Sequence, residues 1–241
     1  MSAPQDSHGD PTITELAPAQ DRRGSRRAGH DPVKREQILQ AAKRCFIRDG
    51  FEAASMNDIT AEAGVSKGTL YVYFADKEDL FANICRDARS AAMAFAQHEL
   101  DAATSVPEAL RRYAIAMTTR LTQDDVVKAQ RMVLGVAERM PQLATNFFGP
   151  EPFSGVVLLK TYLDRRVAAG ELVIDDTELA ARQFNDLAQS GLFKRRLFCV
   201  MPEPPDAETI ARMADRAVDM FLAYYGADGV LARRRAEGKS A

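Results

Sequence analysis

The run Ser66-Lys67-Gly68-Thr69 sets a hydroxyl, an ammonium, a bare stretch of backbone and a second hydroxyl on four consecutive residues. Where such a run opens a helix, these groups dress a first turn whose backbone N–H groups are unpaired and partly positive. That end of a helix suits a phosphate oxygen. Gly68 has no side chain, so a polyanion backbone can approach closely. Tyr71 and Tyr73 follow with phenolic donors on flat apolar bodies, and Val72 has the shape to touch a thymine methyl in a major groove. Tyr71 also reads as a half-buried packing residue.

The flanking pattern supplies the elements that hold this run. Asp31 before Pro32 is a helix start, a cap followed by proline at the first helical position. Ile38, Ala41, Ala42, Cys45 and Phe46 then recur on one helical face until Asp49-Gly50. Ser55 with Asp58 reads as a capping box for a short helix over Met56–Ala63, and Gly64-Val65-Ser66 as a tight turn. Ser66 caps a second short helix over Lys67–Tyr73. Asp76, with Asp79 three residues on, opens a long helix running to about Leu100, with a stripe of Leu80, Phe81, Ile84, Ala88, Ala91, Ala92 and Phe95. Two short helices joined by a glycine-bearing turn and braced by a preceding helix form a helix-turn-helix, with Ile59, Ala63, Val65, Leu70 and Phe74 locking the pair. Alone, that motif is also read as two packed helices and nothing more.

The residues themselves carry a resemblance. SMNDITAEAGVSKGTLYVYFADKEDLF, residues 55–81, resembles the DNA-binding signature of TetR-family transcriptional regulators, and the likeness extends back through ILQAAKRCFIRDGFEAAS to cover about 32–95. It implies phosphate contacts from Ser55, Ser66, Thr69, Tyr71, Tyr73 and Lys77, and base or groove contacts from Lys67, Gly68 and Val72. Val72 stands where polar residues are common in the family. Lys77 opposes the dipole of the helix it opens, a placement a nearby phosphate would offset. Residues 131–201 loosely resemble the C-terminal domain of the subgroup named for the AefR regulator.

Charge and composition agree with a polyanion-facing end. Residues 22–74 hold ten Lys/Arg against six Asp/Glu, a balance of +4; the totals of 32 and 34 leave 22 against 28, or −6, elsewhere. Residues 1–31 read as a disordered basic tail with Arg22, Arg23, Arg26 and Arg27 near its end. No apolar run approaches a membrane span, and the first residues lack a secretory pattern, so the expected compartment is the cytoplasm. His8, His30 and His98 are the only histidines, and no phosphate loop or nucleophile motif is present, which argues against an enzyme and calls for no cofactor or metal. Cys45, Cys85 and Cys199 match no metal spacing. A rival reading makes one of them a redox sensor, although Cys45 falls on the apolar face of the first helix.

The expected architecture is all-α, with a helix-turn-helix domain over 32–78, a ligand-binding and dimerisation domain over 79–228, and a charged tail over 229–241. Helices are expected over 106–121, 123–139, 151–169, 177–198 and 206–225. The last two bear stripes of Phe184, Leu187 and Gly191, and of Met213, Ala217 and Phe221, read either as core or as a homodimer interface; the resemblance favours the interface. Tyr113, Met117, Met132, Met140, Phe147, Phe148, Phe153, Tyr162 and Phe184 are candidates for an adaptable pocket holding a partly apolar small-molecule effector, or are plain core. The resulting expectation is a homodimeric repressor on a palindromic double-stranded DNA operator.

Overall fold

The computed structural model describes residues 31–142, 145 and 154–238, and the regular elements among them are helices. Local caps start the first four. Helix α1 (Pro32–Ala53) follows Asp31, whose carboxylate accepts from the amides of Val33 at 3.0 Å and Lys34 at 3.4 Å. Gly50 interrupts α1, and residues 51–53 add one more turn. Helix α2 (Met56–Ala63) opens on the capping box: Ser55 Oγ accepts from the Asp58 amide at 3.2 Å, and the Asp58 carboxylate accepts from the Ser55 amide at 3.0 Å. Gly64 ends it at φ +62°, a conformation a side chain would oppose. Helix α3 (Lys67–Tyr73) is capped by Ser66 Oγ, which accepts from the Thr69 amide at 3.0 Å. Asp76 does the same for α4 (Lys77–Asp101), accepting from Asp79 at 2.7 Å.

Seven further helices follow: α5 (Val106–Thr122), α6 (Asp124–Val136), α7 (Gly155–Ala168), α8 (Thr177–Gln189), α9 (Leu192–Leu197), α10 (Ala207–Tyr225) and α11 (Val230–Ala236). Near Leu172 the described residues hold one isolated antiparallel bridge, to Gly226.

These helices build two cores. The head core joins Ile38, Phe46, Phe51, Ile59, Leu70 and Phe74 with Leu80 and Phe81 of α4 and Val133 and Val136 of α6. Phe46, Phe51 and Phe81 sit with ring centroids 5.3–5.6 Å apart, two of the three pairs edge-on. Such pairs contribute about 0.5–1.5 kcal/mol each beyond area burial. The body core takes Ala96 and Leu100 from α4 and packs them with Leu110, Tyr113, Tyr162, Phe184, Ala217 and Phe221. Helix α4 is thus anchored at one end in the head and at the other in the body. A boundary at 78/79 cuts through the head core, because Leu80, Phe81 and two residues of α6 lie inside it.

Several expectations need correction. The helix expected over 177–198 breaks at Ser190 (φ +38°) and Gly191 (φ +80°) into α8 and α9. Gly191 therefore makes a left-handed turn, and within the chain nothing packs closely against it. Phe184, Ala217 and Phe221, expected at a dimer interface, are buried inside one chain, with the Phe184 and Phe221 rings edge-on at 5.1 Å. Beyond Ala88 the buried face of α4 shifts to Met93, Ala96 and Leu100, leaving Ala91 and Phe95 exposed, because the body packs against a different side than the head. The expected charged tail holds α11, whose Leu231 is buried and whose Arg235 pairs with Asp175. Residues 1–30 and 239–241 lie outside the described residues.

Candidate nucleic-acid interface and adjoining cavity

The buried side of α3 is carried by Leu70, with Phe74 just beyond the helix; both are almost fully covered. The opposite side leaves Ser66, Lys67 and Gly68 exposed, and Tyr71 and Val72 expose 47% and 50% of their surface. The structure therefore brings five of the named residues onto one outward face. Tyr71 is not a core residue here. Ser66 Oγ and Thr69 Oγ1 lie 2.7 Å apart, so the two hydroxyls form one hydrogen-bonding unit at the helix start.

Three other named residues are already engaged. Ser55 Oγ donates to the Asp58 carboxylate at 2.5 Å, and that bond, with the Ser55 amide, holds the Asp58 carboxyl below its usual range. Tyr73 Oη accepts the Asp31 amide at 3.3 Å, tying α3 to the start of α1 while leaving its own proton to give. Lys77, expected on a phosphate, points inward. Its Nζ donates to the carbonyls of Phe51 and Glu52 at 3.0 Å and of Ala54 at 3.4 Å, and lies 4.9 Å from the Phe51 ring centroid. The end of α1 presents carbonyls without helical partners, and a cation there satisfies them, which offsets the unfavourable position of Lys77 in its own helix.

A cavity of about 290 Å³ lies between head and body. Its apolar wall includes Phe46 and Ile47 of α1, Ile84, Cys85 and Ala88 of α4, and Met117 and Met132 of α5 and α6. Among the described residues, Met117 and Met132 are the two of the expected pocket that line it. Tyr113, Tyr162 and Phe184 belong to the body core instead, and Met140 packs on the head core. Phe147, Phe148 and Phe153 lie outside the described residues. Tyr113 Oη stands 2.8 Å from the Gly155 carbonyl and 3.0 Å from Asn185 Oδ1, and burial pushes its phenol well above the ordinary value.

Charged groups close the cavity's rim. Arg120 holds Asp125 through two bonds of 2.8 and 3.1 Å, and Lys43 of the head reaches the same carboxylate at 3.5 Å. Burial works against the Asp125 carboxylate, but the Arg120 bonds and both positive charges outweigh it and hold the carboxyl below its usual range. Nearby, Arg196 is 2% exposed and donates to the carbonyls of Thr122, Met201 and Pro202 and to Asp124, fixing α9 against α6. Sequence reasoning did not reach this buried role; an arginine four positions after buried Leu192, on an apolar stripe, is the signal it left. Of the thiols, Cys45 is buried, Cys199 is exposed, and burial pushes Cys85 up to about 12 against the opposing charge of Arg89. Among the described residues no helix is long and apolar enough to cross a membrane.

Comparison with known proteins agrees with this geometry. Residues 38–84 match the family model described as bacterial regulatory proteins of the tetR family, and residues 108–227 the model for the C-terminal domain of AefR-like transcriptional repressors. The transcriptional repressor AcnR of Corynebacterium glutamicum is 38% identical over 61 residues, covering 25% of this chain and 32% of that protein. The repressor BepR of Brucella suis is 40% identical over 55 residues, covering 23% and 26%. The matched segments thus span about a quarter to a third of these relatives. A solved structure of a candidate TetR-family regulator from Mesorhizobium loti superposes with TM-score 0.72 at 27% identity, covering 80% of this chain and 97% of that one. The flavonoid-responsive regulator FrrA superposes with TM-score 0.67 at 29% identity, covering 81% and 98%. The chain belongs to the TetR family of bacterial transcriptional regulators, with an AefR-like C-terminal domain.

Proposed function

We propose that this chain is a ligand-responsive repressor that binds a palindromic operator as a homodimer and leaves it when a small, partly apolar effector fills the cavity between head and body. The observation that carries the reading is the position of that cavity: α1 of the head and the linking helix α4 form its walls, at Phe46, Ile47, Ile84 and Ala88. A molecule bound there touches the parts whose relative placement sets the direction of α3. It changes DNA affinity only through its preference between two arrangements of those parts.

In this reading Ser66, Lys67, Gly68, Thr69, Tyr71 and Val72 face the duplex, Tyr73 and Ser55 approach phosphates from the flanks, and Lys77 acts from within by joining α4 to α1. The dimer forms through the outward faces of α8 and α10, where Met213 and Met220 stand seven residues apart on one side of α10 and Met220 is 59% exposed. A dimer sets two recognition helices about one DNA turn apart, roughly 34–36 Å, and an effector that tilts α4 spoils that spacing.

Selection of bound fragments from genomic DNA, followed by footprinting, tests the reading. The expected site is a palindrome protected over two half-sites, with an effector releasing the DNA while sedimentation still reports a dimer. A single asymmetric half-site, or an effector that splits the dimer, would overturn it.

A further inference from the structure

The cavity carries a charge pattern besides its apolar wall. Among the described residues, Lys43, Arg120 and Lys128 line it beside the carboxylate of Asp125, and Arg89, engaged in an interaction of its own, lies on the same wall. Lys43 belongs to α1, Arg120 to α5 and Asp125 to α6, so the carboxylate is held by one cation from the head and one from the body. We propose that the effector is an apolar molecule ending in a carboxylate or a comparable anion, whose charged end takes the place of Asp125 between Lys43 and Arg120. This rests on the effector reading above and names the chemistry of that site.

The alternatives fit less well. A cationic ligand would meet the like charges of Lys43, Arg120 and Lys128. A neutral one can cover Ile84, Ala88, Met117 and Met132 but adds no partner for Lys43 and Arg120, which share the one carboxylate of Asp125. An anion with an apolar tail satisfies both features, because guanidinium and ammonium groups bonded to a carboxylate are among the stronger polar contacts. The rim is open to such an exchange: the Lys43 and Asp125 side chains are 40% and 35% exposed. The volume of about 290 Å³ lies at the small end of ligand pockets, roughly 300–1,000 Å³, which favours a compact molecule. The exchange also supplies a switch. With Asp125 on Lys43, α6 is tied to α1; with a ligand anion there, that tie is replaced by one that runs from Lys43 through the ligand to Arg120 of α5. The ligand thus favours the arrangement of head and body that best seats its anion between these two cations.

The test uses the full chain and the neutral fluorescent probe N-phenyl-1-naphthylamine, displaced by matched acid and amide pairs: decanoate against decanamide, and 2-naphthylacetate against its amide. At least one acid should displace the probe at about tenfold lower concentration than its amide. Lys43→Met and Arg120→Met should erase that preference while leaving probe binding intact. Asp125→Asn, which removes the resident carboxylate, should tighten the acids, and it keeps the test decisive where a cation variant unfolds. Acids no better than amides, with the probe still bound, would overturn the anion assignment and leave the cavity an apolar effector site. Failure of the probe and of every compound to bind would overturn the effector reading as well.

Discussion

The ammonium of Lys77 lies 3.0 Å from the carbonyl oxygen of Phe51 and 4.9 Å from the centroid of its ring, so one side chain joins the start of α4 to the end of α1. The contact sets the angle at which the linking helix leaves the head. It also separates two lysines that look alike in sequence: Lys77 is turned inward, and Lys67 is exposed on the outer face of α3.

Replacing each lysine should therefore have different consequences. Lys77→Met removes three bonds to carbonyls and a cation–ring contact and should lower stability by about 1–2 kcal/mol in denaturant unfolding. The salt dependence of operator binding should stay unchanged. Lys67→Ala should do the reverse, leaving stability as it is and flattening the log–log salt slope by about one unit through the loss of one phosphate contact. A flattened slope in Lys77→Met would return that residue to the DNA surface.

How much of this was legible in the sequence follows from the range of each cause. Asp31, Ser55, Ser66 and Asp76 cap helices through bonds to amides two or three residues away, so four helix starts could be read directly. The outward face of α3 was legible for the same reason. The inward bonds of Lys77 were not legible because their partners lie 23 to 26 residues away, and no local pattern announces them. The burial of Phe184, Ala217 and Phe221 within one chain was not legible because an apolar stripe shows that a helix face is covered without showing by what. The break at Ser190 was hidden because serine carries no signature of a positive φ, and the glycine beside it had been read as a packing residue.

Tyr113 and Gly155 meet where the body core touches the cavity. A methyl group added at Gly155 would stand 2.9 Å from Tyr113 Oη and 3.0 Å from Met117 Cε. Met117 can swing aside, but Tyr113 is buried and held between Gly155 and Asn185. Gly155→Ala should cost about 1–3 kcal/mol by overpacking. Tyr113→Phe should cost about 1–2 kcal/mol by removing the one hydroxyl proton that the Gly155 carbonyl and Asn185 Oδ1 share. Thermal unfolding of the two variants checks both figures; an unchanged midpoint in Gly155→Ala would show that Tyr113 moves freely.

The thiols should divide by accessibility. Cys85 is held protonated up to about 12 by burial, with Arg89 opposing, and burial also raises Cys45 against the pull of Arg48. The thiolate is the reactive form, so both should resist iodoacetamide at neutral pH while exposed Cys199 is alkylated. The sign for stability follows. The folded chain binds the Cys85 proton more tightly than the unfolded chain, so this contribution is complete below the ordinary thiol value and is lost as pH rises towards about 12. Mass spectrometry after timed labelling checks the order; early modification of Cys85 would revive the redox reading.

The last prediction concerns two neighbours on α10. Phe221 is buried against Phe184, ring to ring at 5.1 Å, whereas Met220 is 59% exposed beside it. Removing the Phe221 ring should destabilise each chain by about 3–5 kcal/mol, the usual cost of emptying an aromatic site in a core. Met220→Glu should leave the unfolding midpoint of the chain nearly unchanged, because it adds a charge at a surface already in water. In a homodimer built on this face, that charge would be paired against its own twofold mate or buried without a partner, and either arrangement opposes association. Analytical ultracentrifugation should then show Met220→Glu shifted towards monomer, with operator affinity falling as the second half-site contact is lost. A Met220→Glu chain that remains dimeric and binds DNA like the parent would exclude this face of α10 from the interface.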